Sequence, residues 1–92
     1  MNHFVSTPAE LSACSHCQLP VLRGLDEGIP ACVDLVPLLD VAGEVAALAA
    51  GRATFTRMRN GELAYRDLSR LSDPNFTGPI HARHACPKER SQ

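Results

Sequence analysis

Cys14-Ser15-His16-Cys17 is the stretch that decides how this chain folds. Two thiols three positions apart can close on one ion, and the rest of the chain must then supply the remaining donors. Those donors lie near the other end, in His81-Ala82-Arg83-His84-Ala85-Cys86. In an extended segment, residues two apart point to the same side, so His84 and Cys86 can face one ion together. Cys14, Cys17, His84 and Cys86 make four thiolate or imidazole donors, the complement of a tetrahedral structural site, and Zn2+ is the ion that this donor set favours. Pro87 then turns the chain away. His81 is the alternative to His84, because using it would merely lengthen the gap to Cys86. His16 lies inside the knuckle and is read as a surface residue. Cys32 is a spare thiol, read as a small apolar core residue, with metal ligation as its alternative.

Other chemistries fit the cysteines less well. A thioredoxin-like redox pair wants its first Cys at a helix N-terminus within a βαβ unit. Here Gln18-Leu19-Pro20-Val21-Leu22-Arg23-Gly24 follows, and its Pro and Gly interrupt a helix almost at once. Haem attachment needs His directly after the second Cys, where Gln18 stands. A zinc deaminase needs His-x-Glu followed by Pro-Cys-x-x-Cys, and neither is present. No catalytic signature emerges, and the chain is not expected to be an enzyme.

The 92 residues suit one domain with a small core, the size at which a metal or disulfide staple matters most. The first residues show neither a basic n-region nor an apolar h-region, and no apolar run approaches a membrane span. A bacterial cytoplasmic setting is expected, where cysteines at short spacing read as metal ligands rather than disulfides. Eight of the nine basic residues are Arg, and Ala is abundant, the signature of a GC-rich genome. The net charge of −1 hides an asymmetry. The first fifty residues carry six acids against Arg23 alone, whereas residues 51–92 carry eight bases against four acids. Such a split marks either a face for an anionic partner or an ordinary solvated surface.

Working outward from the knuckle, residues 1–13 read as a loose N-terminal arm, with a capping-box pattern at Thr7-Pro8-Ala9-Glu10. Leu19 to Leu25 and Ile29 to Val36 read as strands joined by the turn formers Asp26-Glu27-Gly28, with Pro30 placed at an edge. Asp40 to Ala50 is a helix, capped by Asp40 and terminated at Gly51. Its buried stripe is expected to be Val41, Val45, Leu48 and Ala49. The remaining Ala-rich face carries Glu44 as its only charge, so an oligomer contact would give it cover. Asn60-Gly61 signals a two-residue hairpin turn, which sets Arg59 opposite Glu62 and Met58 opposite Leu63. That register puts Thr56, Met58, Leu63 and Tyr65 on the core side, with Phe55, Arg57, Arg59 and Arg66 sharing the outer face. Residues 68–71 either extend the strand or begin a bend. Residues 79–84 form a last strand that delivers the second ligand pair, and 87–92 form a polar tail.

The expected fold is therefore α+β: residues 14–86 form one domain of antiparallel hairpins and a single helix over about 40–50, with the chain ends joined by a metal site. This layout resembles a zinc ribbon with a long insertion between its knuckles. It also resembles small, functionally unassigned zinc-ribbon-like proteins of high-GC bacteria. The resemblance rests on Cys14-x-x-Cys17 with Pro20-Val21-Leu22, Gly43-Glu44 with Ala49-Ala50-Gly51-Arg52, Gly61-Glu62-Leu63 with Arg66-Asp67, and His84-x-Cys86. It covers roughly residues 14–86 and implies a fold without implying an activity.

Two classes of role fit these features. The first is a nucleic-acid-associated accessory protein that meets DNA or RNA through Arg57, Arg59 and Arg66, with Phe55 as a stacking surface. The second is a protein–protein adaptor that uses the Ala-rich helix or a sheet edge. The near-neutral charge and acidic first half weigh against the first class, since nucleic-acid domains are usually basic.

Overall fold

A computed structural model describes residues 5–86, so the tail expected over 87–92 lies outside the described residues. Six strands form two antiparallel three-stranded sheets. Strands β1 (Glu10–Ala13), β2 (Pro20–Asp26) and β3 (Ile29–Asp34) lie in the order β1-β2-β3. Strands β4 (Thr54–Arg57), β5 (Leu63–Tyr65) and β6 (Ile80–Ala82) lie in the order β5-β4-β6. Helix α1 (Val41–Ala49) connects the sheets, and a single turn, α2 (Leu68–Leu71), follows β5. The α+β class with antiparallel hairpins and one principal helix is thus what the chain adopts.

The core lies between the sheets. Leu22 and Val33 are paired across β2 and β3, and with Ala31 they meet Leu63 of the second sheet. Ala9 and Phe55 pack against this cluster. The β2–β3 connection is a two-residue turn at Glu27-Gly28, with φ of 51° and 86°. Two successive positive φ values are what a type I′ hairpin demands, because its twist matches that of the strands.

Residues 5–13 are not the loose arm that the sequence suggests. Thr7 donates its amide to Leu25 O at 3.0 Å, and its hydroxyl accepts from Leu25 N at 2.9 Å. Gly28 N donates to Val5 O, and Glu27 N to the Ser6 hydroxyl, so this segment braces the β2–β3 turn. Strand β1 then pairs along β2 from Glu10↔Arg23 to Ala13↔Pro20. Thr7 thus spends its hydroxyl on a strand amide, and the capping-box helix does not form. Four residues with one large apolar side chain, the exposed Leu11, make too short an alternation to mark this edge strand in the sequence.

The second hairpin differs from its expected register by one residue. Observed partners are Phe55↔Tyr65, Thr56↔Ala64 and Arg57↔Leu63. The loop holds three residues, Arg59, Asn60 and Gly61, closed by Gly61 N to Met58 O and Met58 N to Glu62 O, both 2.8 Å. Only Gly61 has positive φ, at 90°, while the Asn60 side chain accepts from Glu62 N. This is a turn followed by a left-handed Gly, the three-residue alternative to the type I′ loop. A one-residue slip moves side chains to the opposite face. Arg66 therefore turns toward α1, where its guanidinium meets the Glu44 carboxylate at 2.7 Å and the Thr56 hydroxyl at 2.7 Å. Phe55 goes to the core side, edge-on to Tyr65 with ring centroids 5.8 Å apart. The outer face expected to hold Phe55, Arg57, Arg59 and Arg66 together does not exist. Only Arg57 and Arg59 are exposed.

Helix α1 keeps its expected ends. Asp40 Oδ1 accepts from Gly43 N at 2.9 Å, and Gly51 follows with φ of 79°. Its orientation is reversed, however. Ala47 is buried and Gly43 and Glu44 are half-buried, whereas Val41, Val45, Leu48 and Ala49 are exposed. Small residues let the helix backbone lie close to the second sheet, and Glu44 joins Arg66 and the Thr54 hydroxyl there. Burying the valine stripe instead would strand that carboxylate in water and leave Arg66 without its partner, an expensive state inside a small domain.

The Glu44–Arg66 pair should therefore govern stability. Both side chains are only 16% exposed. Arg66→Ala is expected to cost roughly 2–4 kcal/mol, as for removal of one partner from a largely buried pair. Urea unfolding of the two proteins checks this, and a change under about 0.5 kcal/mol, the scale of ordinary surface substitutions, would show that the pair is dispensable.

Candidate metal centre

The knuckle is the loop of the β1–β2 hairpin. Cys14 N donates to Leu19 O at 2.9 Å, and Gln18 N to Cys14 O at 2.8 Å, with Gln18 in the left-handed region at φ 67°. This tight loop aims the Cys14 and Cys17 thiols together. The other two donors arrive by a crossing between sheets. Strand β6 pairs with β4, but Arg83 already bridges Val33 of β3, and His84 N donates to Cys32 O at 2.9 Å. His84-Ala85-Cys86 is thereby carried to the first sheet, beside Val21 and the knuckle.

The four donor atoms lie within 4.8 Å of one another. Cys14 Sγ is 3.3 Å from Cys86 Sγ, and His84 Nε2 is 3.3 Å from Cys17 Sγ and 3.7 Å from Cys86 Sγ. A tetrahedron with metal–sulfur bonds of about 2.3 Å has edges near 3.8 Å, so this cluster is of the size that a tetrahedral ion requires. Cys14 and Cys86 are buried, and Cys17 and His84 are half-buried. The cluster can hold a metal ion as it stands.

His81 and Cys32 are not members of the cluster. His81 is buried, and its Nδ1 bonds to Asp34 O at 2.9 Å, where it ties β6 to the end of β3. Cys32 packs against the cluster without joining it, and burial raises its thiol pKa. His16 is exposed.

Asp34 and Arg52 belong to the site although nothing in the local sequence marks them. Asp34 Oδ1 is 2.8 Å from His84 Nδ1. A carboxylate can only accept, so Nδ1 carries a hydrogen and Nε2 is the atom turned to the thiols. The opposite carboxylate oxygen is held by Arg52, whose Nε also donates to Arg83 O. A carboxylate behind a ligating imidazole fixes its tautomer and raises its basicity. The one usable signal was that Asp34 shares a strand face with Cys32, but that pattern does not connect it to residue 84.

Hydrogen bonds within the cluster and around it shift the titration of Cys14, Cys86 and His84. Amides of Cys17 and His16 pull the Cys14 thiol down to about 6, against the effect of burial. The hydrogen bond to Cys14, with burial, pushes the Cys86 thiol up to about 12. The Asp34 hydrogen bond lifts His84 to about 9, overcoming desolvation. The close Cys14–Cys86 pair therefore retains a proton between its two sulfurs, and the Asp34 contact favours the charged form of His84.

No protein-family model, curated protein or solved structure matches the chain.

Two measurements probe it. Metal uptake must expel protons from Cys86 and His84, so apparent affinity should rise at least about 100-fold per pH unit from pH 6.5 to 8.5. Competition against a chromophoric chelator reads that slope, and a flat profile would remove Cys86 and His84 from the site. In the same titration Asp34→Asn should weaken binding about 10- to 100-fold, the usual effect of losing the group behind a ligating His.

Proposed function

We propose that this chain is a small structural-zinc domain that works by binding other protein surfaces and not by catalysis. The observation that carries the metal reading is the closed set of Cys14, Cys17, His84 and Cys86. Three thiols and one imidazole at tetrahedral spacing suit zinc best among the common ions. Four protein donors complete the tetrahedron and reserve no position for a substrate or an activated water, which is the pattern of a structural site. Zinc would add its binding energy directly to folding, and it would lock the His84–Cys86 crossing onto the β1–β2 knuckle.

The interaction reading draws support from what the surface offers. The basic face envisaged for DNA or RNA loses two of its four members: Arg66 is neutralised by Glu44, and Phe55 packs into the core. Arg57 and Arg59 remain, a small cationic spot on a near-neutral protein. Helix α1, by contrast, presents Val41, Val45 and Leu48 to solvent. Among the described residues, no helix is long and apolar enough to cross a membrane.

Elemental analysis of purified protein should give one zinc per chain, and a strong chelator should abolish the cooperative thermal transition. Cys14→Ser, Cys17→Ser and Cys86→Ser should each lose the metal, while Cys32→Ser retains it. A cooperatively folded, metal-free protein with reduced thiols would defeat the zinc reading. For the interaction reading, complexes recovered from cells should survive nuclease, and loss of all partners on nuclease treatment would return the nucleic-acid role to first place.

A further inference from the structure

Helix α1 is inverted relative to an ordinary amphipathic surface helix. Between Asp40 and Arg52 it has one charged side chain, Glu44, and that side chain points inward to Arg66. Outward lie Val41, Val45 and Leu48, at 76%, 58% and 53% exposure, on a single face at helical spacing. The loop leading into the helix adds Leu39 at 95% and Val36 at 72%. Exposed alanines at 42, 46 and 49 flank the stripe and would let another backbone approach closely.

We infer that this face is the contact between two copies of this chain, packed antiparallel through α1 about a two-fold axis near Val45. The inference deepens the interaction reading above by naming a second copy as the partner. Three observations favour a second copy. Along Val41, Val45 and Leu48 the face carries no charge, and its one bordering acid, Asp40, is engaged as the helix cap, so the stripe is complementary to itself, as a two-fold interface requires. The five large residues expose on the order of 600 Å² per copy, so a symmetric pair that covered the helix stripe and the loop residues alike would bury up to about 1,200 Å², the lower end of stable specific interfaces. That is also at the upper limit of the apolar patches monomers usually leave open.

The antiparallel arrangement follows from the helix itself. A two-fold axis at Val45 sets Val45 against its own copy, and Val41 of one chain against Leu48 and Ala49 of the other. It also places each helix N-terminus beside the C-terminus of its neighbour, which pairs opposite ends of the two macrodipoles. The metal clusters take no part in the contact, so each copy keeps its own.

Sedimentation equilibrium of the zinc-loaded full chain, from low micromolar to several hundred micromolar, tests this directly. Wild type should fit a monomer–dimer equilibrium. Val45→Arg, which brings like charges together on the axis, should raise the dimer dissociation constant at least about 100-fold. Leu48→Glu should do likewise, and Leu11→Glu, on the exposed β1 edge, should leave it unchanged. Zinc content and the thermal transition are read on every sample, so a variant that fails to fold is distinguished from one that fails to associate. Wild type that stays monomeric throughout would overturn the proposal, even if it binds other proteins. So would a dimer indifferent to both α1 substitutions. A monomer with one zinc would leave the metal reading standing, and a dimer without zinc would overturn that reading alone.

Discussion

The structure depends on a short antiparallel bridge between Val33 and Arg83, extended by the hydrogen bond from His84 N to Cys32 O. Each sheet has only three strands, and several of those strands are four residues or fewer. Neither sheet could bury enough apolar surface alone to offset the entropy of ordering its chain. The bridge brings them edge to edge, so that Leu22, Ala31 and Val33 can close on Leu63. It also fixes where the chain goes after β6. Three residues beyond Arg83, the backbone delivers Cys86 to Cys14. The core and the metal cluster are thus two results of one crossing.

How much of this could be read in the sequence depended on whether the signal was local. The Cys14–Cys17 knuckle, the Glu27-Gly28 turn and the Asp40 cap each reside in a few adjacent residues whose chemistry dictates their conformation, and those elements were legible. The four clustered donors were also legible, because few residue types can do that work. What failed was the choice of face. Val41, Val45 and Leu48 repeat at helical spacing, and Asn60-Gly61 announces a tight turn, yet neither feature says which side meets the protein. That choice was made by a long-range ion pair. Glu44 and Arg66 are 22 residues apart, and their contact is made only with the observed β4–β5 register and with this face of α1 turned inward. Apolar periodicity identified the helix and misassigned its inner surface because a buried charge pair outweighed a valine stripe.

Asp34 escaped notice for the same reason. One of its carboxylate oxygens serves a histidine 50 residues away, and its backbone carbonyl holds His81. An acid at the end of a strand has no local peculiarity. It acquires a role only when Arg83 bridges Val33 and sets residue 84 beside it. Sequence reading finds ligands because their identity is constrained, but it misses the groups behind them because any acid at the right place would serve.

Arg52 makes the metal cluster and the helix parts of one device. Its amide donates to Ala47 O and so belongs to the C-terminal turn of α1, while its guanidinium holds Asp34 and the Arg83 carbonyl. The chain of contacts runs from α1 through Arg52 and Asp34 to His84 and hence to the ion position. Ordering His84 on a metal orders Asp34, and Asp34 in turn gives Arg52 a fixed anchor. The helix touches the second sheet chiefly through small residues and the Glu44 network, so this anchor is a considerable share of what holds it. A metal-free chain would loosen first at the crossing and next at the C-terminal end of α1. The helix that carries the outward Val41–Val45–Leu48 face is held at both ends, at Asp40 by its own cap and at Arg52 by Asp34 and the Arg83 carbonyl. A metal on the four donors would thereby also brace, through Asp34 and Arg52, the helix that carries this face.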